Sequence, residues 1–324
     1  MTEGVTVGDA DDGQRLDRWL KKNYPDFTFG QLQKILRTGQ LRVDGKRAKG
    51  ETRLAKGQII RIPPQLNNPA PARPSGPSEK DAAFIKSLVI YKDKHVIALN
   101  KPTGLAVQGG SKIDKHVDGM LDALSEGGER PHLVHRLDRD TSGVLLLART
   151  TAAARELGHM FQGRDIRKYY WAITTPAPAM EQGKINSPIG KVDIGGGERI
   201  MVTDGEEGKS ALTFYTVMES IGHELAWVAF WPRTGRTHQI RVHALEMGCP
   251  LLGDFKYDER QEFLSRNPQL PQTLHLHARR LIMPHPMMNG LLDVTAPLSP
   301  DMKKTFKYFG FSAEDKSDPF EDLD

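Results

Sequence analysis

The sequence is poor in the features that mark secreted, disulfide-bonded or membrane-spanning proteins. Cys249 is the one cysteine in 324 residues, which excludes an internal disulfide and zinc sites built from several cysteines. No run of about 18 apolar residues occurs, so neither a transmembrane helix nor a membrane partner is predicted. Residues 1–12 are acidic and lack the apolar stretch of a secretory signal. These absences predict a protein of the reducing cytoplasm.

Charge is unevenly distributed along the chain, although the net charge is only +4. Residues 1–12 carry four acids and no base, and residues 312–324 carry six acids and one lysine. Residues 13–63, in contrast, carry thirteen Lys or Arg against four acids. A compact basic segment of this kind predicts a surface that binds a polyanion. A solvated basic face without a partner would show the same pattern.

The basic segment has the pattern of two helices and a hairpin. Apolar residues spaced i, i+3 and i+4 predict the helices, with the stripes Leu16, Trp19 and Leu20, then Leu32, Ile35 and Leu36. Thr28 followed by Gln31 fits a capping box at the start of the second helix, and Gly39 fits its end. Asp44-Gly45 predicts a tight turn between two short strands, and residues 59–62 predict a third strand.

The rest of the chain is predicted to form a second domain. Residues 64–80 contain five prolines and predict a semi-extended linker between a module at 13–63 and a domain at 81–311. Strands are predicted at 89–91, 95–99, 144–148, 168–174 and 226–231, and helices at 151–161 and 237–247. Strands without a regular βαβ rhythm predict the α+β class with a mixed or antiparallel sheet. The acidic tail, 312–324, is expected to be disordered.

Two polar stretches of the second domain are candidates for chemistry. HRLDRDTSG (135–143) places two carboxylates in a turn before a buried strand, although a surface loop with local ion pairs has the same composition. TGRTHQIRVH (234–243) enters a helix, where backbone N–H groups and Arg236 could bind a phosphate. Its helical spacing also brings His238 near Arg241. Zinc binding by its histidines, or by His275 and His277, is disfavoured because no carboxylate or cysteine completes a usual ligand set.

Five motifs together resemble one enzyme family. They are NKPTG (100–104), HRLDRDTSG, KYYWA (168–172), TGRTHQIRVH and LLGDFKY (251–257). In this order they resemble the RNA pseudouridine synthases of the ribosomal large-subunit type, and RDTSG with ILRTGQLRVDGKR most resembles their bacterial C-type members. Gln108 departs from the pattern, since relatives often have His there. The resemblance implies an α+β catalytic domain that isomerises uridine in RNA without a cofactor or metal.

The same resemblance implies roles for individual residues. Asp138 would attack the target nucleotide, either at C1′ or by a route through a glycal-type intermediate. Arg241 would pair with Asp138 and keep it ionised. Tyr170 would stack on the flipped uracil, and Arg136 would fill the gap that the extruded base leaves. NKPTG would shape the floor of the cleft.

The basic module resembles a second known fold. RLDRWL (15–20), LRTGQLRVDGKR (36–47) and KGQIIRI (56–62) resemble the S4 RNA-binding fold, although a purely packing role would also fit. The resemblance implies an RNA-facing set made of Arg18, Lys34, Arg37, Arg42, Lys46 and Arg47. The expected partner is large-subunit ribosomal RNA or its assembly intermediates, with transfer RNA as the alternative. We expect a monomer.

Other interpretations stay open from the sequence. Asp140 lies two residues from Asp138 and is the rival nucleophile, although position in the motif favours Asp138. A non-catalytic RNA-binding or ribosome-assembly factor would also explain the basic module. A hydrolase of the glycosidase type would use Asp138 and Asp140 as a carboxylate pair.

Overall fold

The computed structural model describes residues 4–24, 27, 29–67, 76–110, 113–163, 165–195, 198–205, 207–315 and 317–321. The chain divides into an N-terminal unit, Met1–Ser75, and a C-terminal unit, Gly76–Asp324. This division falls inside the segment predicted as a linker. No helix within the described ranges is long and apolar enough to cross a membrane.

The N-terminal unit combines helices with an antiparallel sheet. Its elements are β1 (Gly4–Thr6), α1 (Leu16–Asn23), α2 (Phe29–Arg37), β2 (Arg42–Val43), β3 (Lys46–Arg47), β4 (Ile59–Arg61) and α3 (Pro64–Asn67). The strand order is β1-β4-β2-β3. Both predicted apolar stripes are buried in one core, which confirms the helices. Asp44 and Gly45 have φ of 48° and 75°, as a two-residue type I′ turn requires, and the hairpin is also confirmed. Thr28 lies outside the described residues.

The N-terminal unit extends past the predicted range, 13–63, at both ends. β1 pairs with β4, so residues before 13 belong to its sheet. At the other end, α3 begins at Pro64 and buries Leu66, which is 3% exposed. The prediction of a linker from Pro64 onward was wrong at this point. Proline is well tolerated at the first position of a helix because the N–H that it lacks would have no partner there.

The acidic segment before α1 folds onto the basic unit. Asp11 accepts hydrogen bonds from Trp19 Nε1 at 3.1 Å and from Lys22 Nζ at 2.8 Å. Asp9 forms an ion pair with Lys56 at 2.6 Å. These acids therefore neutralise two of the thirteen bases counted in residues 13–63. The remaining positive charge, and not the total, is what this unit offers to a polyanion.

The C-terminal unit is dominated by strands. Its elements are α4 (Glu79–Ser87), β5 (Val89–Lys92), β6 (Val96–Lys101), β7 (His132–Leu133), β8 (Ser142–Ala148), α5 (Thr151–Gln162), β9 (Arg167–Thr174), β10 (Gln182–Asn186), β11 (Ile189–Asp193), β12 (Glu198–Val202), β13 (Leu212–Ile221), β14 (Leu225–Pro232), α6 (Gln239–Glu246), α7 (Glu262–Arg266), β15 (Leu276–Pro284), β16 (Leu291–Thr295) and α8 (Pro300–Phe309). The predicted strands and helices of this unit occur within two or three residues of their expected ends.

One large sheet organises the C-terminal unit. The order is β10-β13-β14-β9-β15-β8-β6-β5, with β16 beside β15 and β7 beside β8. β8 and β15 run parallel, while the neighbouring ladders are antiparallel. The sheet is therefore mixed, as predicted for the α+β class. β11 and β12 form a separate hairpin.

Alternation along β9 divides the sheet into two faces. Trp171 packs on one face, against Trp227 at 4.5 Å between ring centroids and against Phe306 of α8 at 5.9 Å. Tyr170 points to the opposite face, where it packs with the cluster that contains Ile240 of α6. Adjacent residues of one strand thus contribute to the aromatic core on one face and to a second apolar cluster on the other.

The tail was predicted to be disordered, and this was wrong for its described part. Phe320 is 1% exposed and packs against Tyr169 and Trp231. The Tyr169 hydroxyl donates to Asp318 at 3.1 Å, and Arg167 lies 3.6 Å from the same carboxylate. The acidic composition suggested a solvated tail, but one buried aromatic ring and a basic docking site hold it on the sheet.

Candidate active site

Asp138 lies in the turn that precedes β8. The Thr141 backbone N–H donates to the Asp138 carbonyl at 3.2 Å and closes the turn. Leu137 is 5% exposed and anchors the turn in the core, while the side chain of Asp138 is 22% exposed. The turn thereby holds a carboxylate at a position that a ligand can reach. Asp140 is exposed and does not line the cavity described below.

A buried lysine forms a hydrogen bond with the backbone of this turn. Lys101 is fully buried, and its Nζ donates to the carbonyls of Pro102, Leu105 and Arg139 at 3.0, 2.8 and 3.0 Å. Burial lowers the pKa of Lys101 to about 8, a shift that the charges of Asp140 and Asp138 oppose. Because the ammonium bonds the carbonyl of Arg139, the residue after Asp138, it ties the motif NKPTG to the turn.

Gly143 allows the turn to join the sheet. Its φ is 108°, and a Cβ at this position would lie 2.2 Å from the carbonyl oxygen of Ala278 on β15. Only glycine therefore permits the parallel pairing of β8 with β15 directly after the turn. Ser142 Oγ also lies 2.8 Å from His277 Nδ1 across the same pair of strands. The glycine that ends HRLDRDTSG thus has a structural explanation.

A cavity of about 320 Å³ opens beside Asp138. Its lining comes from the turn before β8, from β9, from the start of α6 and from the segment between β14 and α6. The sequence-predicted residues that line it are Asp138, Tyr170, Arg241, Arg136 and Arg236. The fold therefore brings the predicted residues of three separate motifs around one space, which has the size of a small-ligand pocket.

Tyr170 contributes a phenol to this cavity. It is half-buried on β9. Burial raises the pKa of Tyr170, and the negative charge of Asp138 raises it further. The side chain therefore offers a neutral hydroxyl and an aromatic surface to the cavity at physiological pH.

Arg241 has a different direct partner from the one implied by resemblance. Its guanidinium forms a bidentate pair with Asp254, Nε to Oδ2 at 2.8 Å and a terminal nitrogen to Oδ1 at 2.6 Å. The two side chains are 5% and 1% exposed. Burial disfavours the charged guanidinium, but the hydrogen bonds and charge of Asp254 outweigh it, with smaller contributions from Tyr257 and Asp138, so the pKa of Arg241 is raised. The expected direct pair with Asp138 is replaced by a longer-range attraction.

His238 lies between Asp138 and Tyr257. It precedes α6 in a left-handed conformation, with φ of 56°. Its Nδ1 is 2.7 Å from the Tyr257 hydroxyl, and its Nε2 is 3.8 Å from Asp138 Oδ2. Burial and the nearby charges of Arg241 and Lys256 lower the pKa of His238 to about 4. The sequence indicated its nearness to Arg241, but it carried no signal for either of these contacts.

Two further titratable residues of the motifs, His135 and Lys168, line the cavity. His135 Nε2 accepts the backbone N–H of Leu146 at 2.8 Å, and its ring stacks on Phe161 at 4.5 Å. Burial lowers its pKa to about 3, so it is a neutral structural group. Lys168 also lines the cavity, where burial lowers its pKa. Within the described part of the chain, no three His, Cys, Asp or Glu side chains are grouped so that they could hold a metal ion.

The predicted RNA-facing residues of the N-terminal unit are all exposed. Arg42 donates to the Gly45 carbonyl at 3.0 Å, and Arg47 donates to the Arg37 carbonyl. The side chains of Arg18, Lys34, Arg37 and Lys46 form no hydrogen bond or ion pair with any residue that the structure describes. These four side chains are thus free to contact an anion.

The chain is similar to known proteins in both sequence and fold. The profile of the family described as RNA pseudouridylate synthase matches residues 95–246. The chain is 35% identical over 289 residues to the "Ribosomal large subunit pseudouridine synthase C" of Rickettsia typhi, an alignment that covers 88% of this chain and 93% of that protein. The protein of the same name from Vibrio cholerae is 35% identical, with 90% and 92% covered. This chain belongs to the RNA pseudouridylate synthase family.

A solved structure and a plant relative extend the comparison. The human RNA pseudouridylate synthase domain containing 4 superposes with a TM-score of 0.59 at 29% identity, covering 70% of this chain and 96% of that one. The "RNA pseudouridine synthase 4, mitochondrial" of Arabidopsis thaliana is 34% identical, with 88% and 74% covered. The enzyme is an RNA pseudouridine synthase, an isomerase, as the motifs predicted. The matched range, 95–246, contains Asp138, Tyr170 and Arg241.

Proposed function

We propose that this enzyme converts specific uridines of large-subunit ribosomal RNA to pseudouridine, with Asp138 as the nucleophile. The observation that carries the proposal is the single cavity that Asp138, Tyr170 and Arg241 line together. The ribosomal target is supported by the names of the bacterial relatives, which are similar to this chain over most of their length. The target uridine enters the cavity after it is flipped out of its stack.

The reaction is a rearrangement within one nucleotide. The N1–C1′ bond breaks, the uracil turns, and a C5–C1′ bond forms. The proton lost from C5 is balanced by the proton gained at N1, so no co-reactant is consumed. The carboxylate of Asp138 bonds to C1′ as nucleophile, or removes a ribose proton on the route through a glycal. A carboxylate suits such a reversible stage because it is both a modest nucleophile and a tolerable leaving group.

The neighbours of Asp138 fit this chemistry. Arg241 is held by Asp254, so its positive charge is fixed near the Asp138 carboxylate without being bound to it. Tyr170 offers its ring for stacking on the uracil and its neutral hydroxyl near C5. Arg136 is exposed at the cavity and fills the gap in the RNA. Extrusion of a base costs a few kcal/mol, which such contacts offset.

The basic N-terminal unit supplies affinity in this proposal. Its helix pair and hairpin support an S4-like RNA-binding fold, and its cations without a partner among the described residues, which include Arg18, Lys34 and Lys46, are suited to phosphate contacts. Each phosphate contact that is lost should reduce the dependence of affinity on salt. The triple variant R18Q/K34Q/K46Q should therefore bind RNA more weakly and with a shallower salt slope. Lys22→Gln is the matched control because Asp11 already neutralises Lys22. If Lys22→Gln weakened RNA binding as much as one of the three substitutions made alone, the assignment would be contradicted.

The central test uses unmodified large-subunit ribosomal RNA and two matched variants. The RNA is incubated with the wild type, with Asp138→Asn or with Asp140→Asn, and pseudouridines are detected by carbodiimide adducts that stop primer extension. We expect stops at discrete uridines with the wild type and with Asp140→Asn, and none with Asp138→Asn, which should still bind the RNA. Activity near wild type in Asp138→Asn would refute the nucleophile. Stops on transfer RNA alone would refute the ribosomal target, and release of free uracil would indicate a hydrolase.

A further inference from the structure

His238 occupies an unusual backbone conformation next to the carboxylate. Its φ of 56° belongs to the left-handed region, which a residue with a Cβ adopts rarely and often at functional sites. This conformation places the imidazole between the side chains of Tyr257 and Asp138. The ring has one nitrogen for each of them, Nδ1 at 2.7 Å from the Tyr257 hydroxyl and Nε2 at 3.8 Å from Asp138 Oδ2.

The two neighbours of the ring together favour one position for its proton. An ionised carboxylate only accepts hydrogen bonds, so the nitrogen that faces Asp138 is favoured as an N–H. Nδ1 is then an acceptor, and the Tyr257 hydroxyl donates to it. The opposite tautomer would turn the lone pair of Nε2 towards a negative oxygen. The doubly protonated ring is opposed by burial and by Arg241 and Lys256, which together outweigh the attraction of Asp254 and Asp140.

Tyr257 is itself firmly placed. It is 9% exposed, and its ring contacts the guanidinium groups of Arg241 at 5.1 Å and Arg199 at 5.3 Å. Burial raises its pKa to about 12, so it keeps its proton and can donate. The motifs LLGDFKY and TGRTHQIRVH therefore meet at the Tyr257–His238 hydrogen bond.

We propose that His238 is a positioning residue for Asp138, held in its Nε2–H tautomer by the hydroxyl of Tyr257. Its Nε2 lies 3.8 Å from Asp138 Oδ2, and a movement of about 1 Å brings the two atoms to hydrogen-bond distance. This contact restricts rotation of the carboxylate and leaves the other oxygen for the nucleotide. The inference rests on Asp138 being the nucleophile, and it assigns no bond-making step to His238.

The tautomer can be observed in the free enzyme without any reaction. Imidazole ¹⁵N chemical shifts of histidine-labelled protein distinguish Nε2–H, Nδ1–H and the charged ring, and His238→Gln assigns the signal. We expect the Nε2–H form in the wild type and a mixture of tautomers in Tyr257→Phe, which keeps the ring but removes the donor. An Nδ1–H or charged ring in the wild type at neutral pH would overturn the proposal.

A double-mutant cycle tests whether the tautomer affects catalysis. Tyr257→Phe should lower kcat about tenfold with little change in KM, because one hydrogen bond of about 1.4 kcal/mol is tenfold in rate. Glutamine presents an amide N–H near the position of Nε2–H and needs no tautomer. We therefore expect His238→Gln to be more active than His238→Ala, and Tyr257→Phe to have little further effect in the His238→Gln background.

The cycle also separates this inference from the proposed function. An equal loss from Tyr257→Phe in both backgrounds would indicate a merely structural role for Tyr257 and would overturn the inference. Full activity of Asp138→Asn would instead overturn the nucleophile, whatever tautomer the ¹⁵N spectrum shows. The Nδ1–H form together with an inactive Asp138→Asn would overturn the positioning role alone.

Discussion

The buried pair of Arg241 and Asp254 predicts a large and specific loss of stability. Removing the carboxylate in Asp254→Ala leaves a guanidinium that is 5% exposed without its bidentate partner. Breaking a buried pair in this way costs about 3–5 kcal/mol, because the remaining charge has neither water nor a counter-charge. The chain offers a close control, since Arg280 and Asp293 form a bidentate pair with the same distances, 2.8 and 2.6 Å.

The control differs from the buried pair chiefly in exposure. The side chains of Arg280 and Asp293 are 27% and 42% exposed. Water therefore solvates the remaining arginine in Asp293→Ala, and the expected cost is about 1 kcal/mol or less. The difference between the two variants, roughly 2–4 kcal/mol, isolates the effect of burial at constant hydrogen-bond geometry.

Urea unfolding followed by tryptophan fluorescence measures both losses. Three of the four tryptophans, Trp171, Trp227 and Trp231, lie in the C-terminal unit. For a slope of about 2–3 kcal/mol per molar urea, Asp254→Ala should shift the midpoint by roughly 1–2 M and Asp293→Ala by roughly 0.5 M or less.

An apolar replacement of both partners tests the cause of the loss. In the double variant R241M/D254L no charge is left unpaired, so it should be more stable than Asp254→Ala. Equal midpoint shifts for Asp254→Ala and Asp293→Ala would refute the argument from burial. A double variant that is less stable than the single one would show that the cost does not come from the orphaned charge.

Further predictions concern backbone, tail and pH. Gly143→Ala should destabilise the enzyme by at least about 2 kcal/mol in thermal unfolding, because the left-handed φ and the clash with the β15 backbone both oppose a side chain. Gly158→Ala in α5 is the control and should be neutral or stabilising, because no atom lies near the added Cβ. Phe320→Ala should cost about 3–5 kcal/mol in urea unfolding, and no effect would contradict a docked tail. Burial lowers the pKa of His275 to about 4 and that of His277 to about 3, so the unfolded chain binds more protons below pH 6.5. Their contribution to stability is complete above pH 6.5 and is lost as the pH falls towards 4, at about 1.4 kcal/mol per pH unit for each histidine. The melting temperature Tm, measured from pH 7 to pH 4, should therefore decline as the pH falls.

Local patterns along the chain were enough to predict much of the fold. Apolar spacing predicted α1 and α2, the Asp44-Gly45 dipeptide predicted the hairpin, and an unbroken apolar run predicted β8. Each of these signals depends on neighbours within about one helical turn or one strand, which is why it is readable without a structure. Motif order predicted the enzyme family, and residues of three of the five motifs line one cavity.

These local patterns did not predict contacts between distant segments of the chain. The partner of Arg241, the hydrogen bond from Tyr257 to His238 and the docking of Phe320 depend on which loops the sheet order brings together. A charged residue has the same local signal whether it is solvated or paired, and an acidic tail has the same composition whether it is free or bound. Burial decides between these alternatives, because it sets the dielectric surroundings and the partners of each group. Burial is a property of the folded sheet and not of any short segment of the chain.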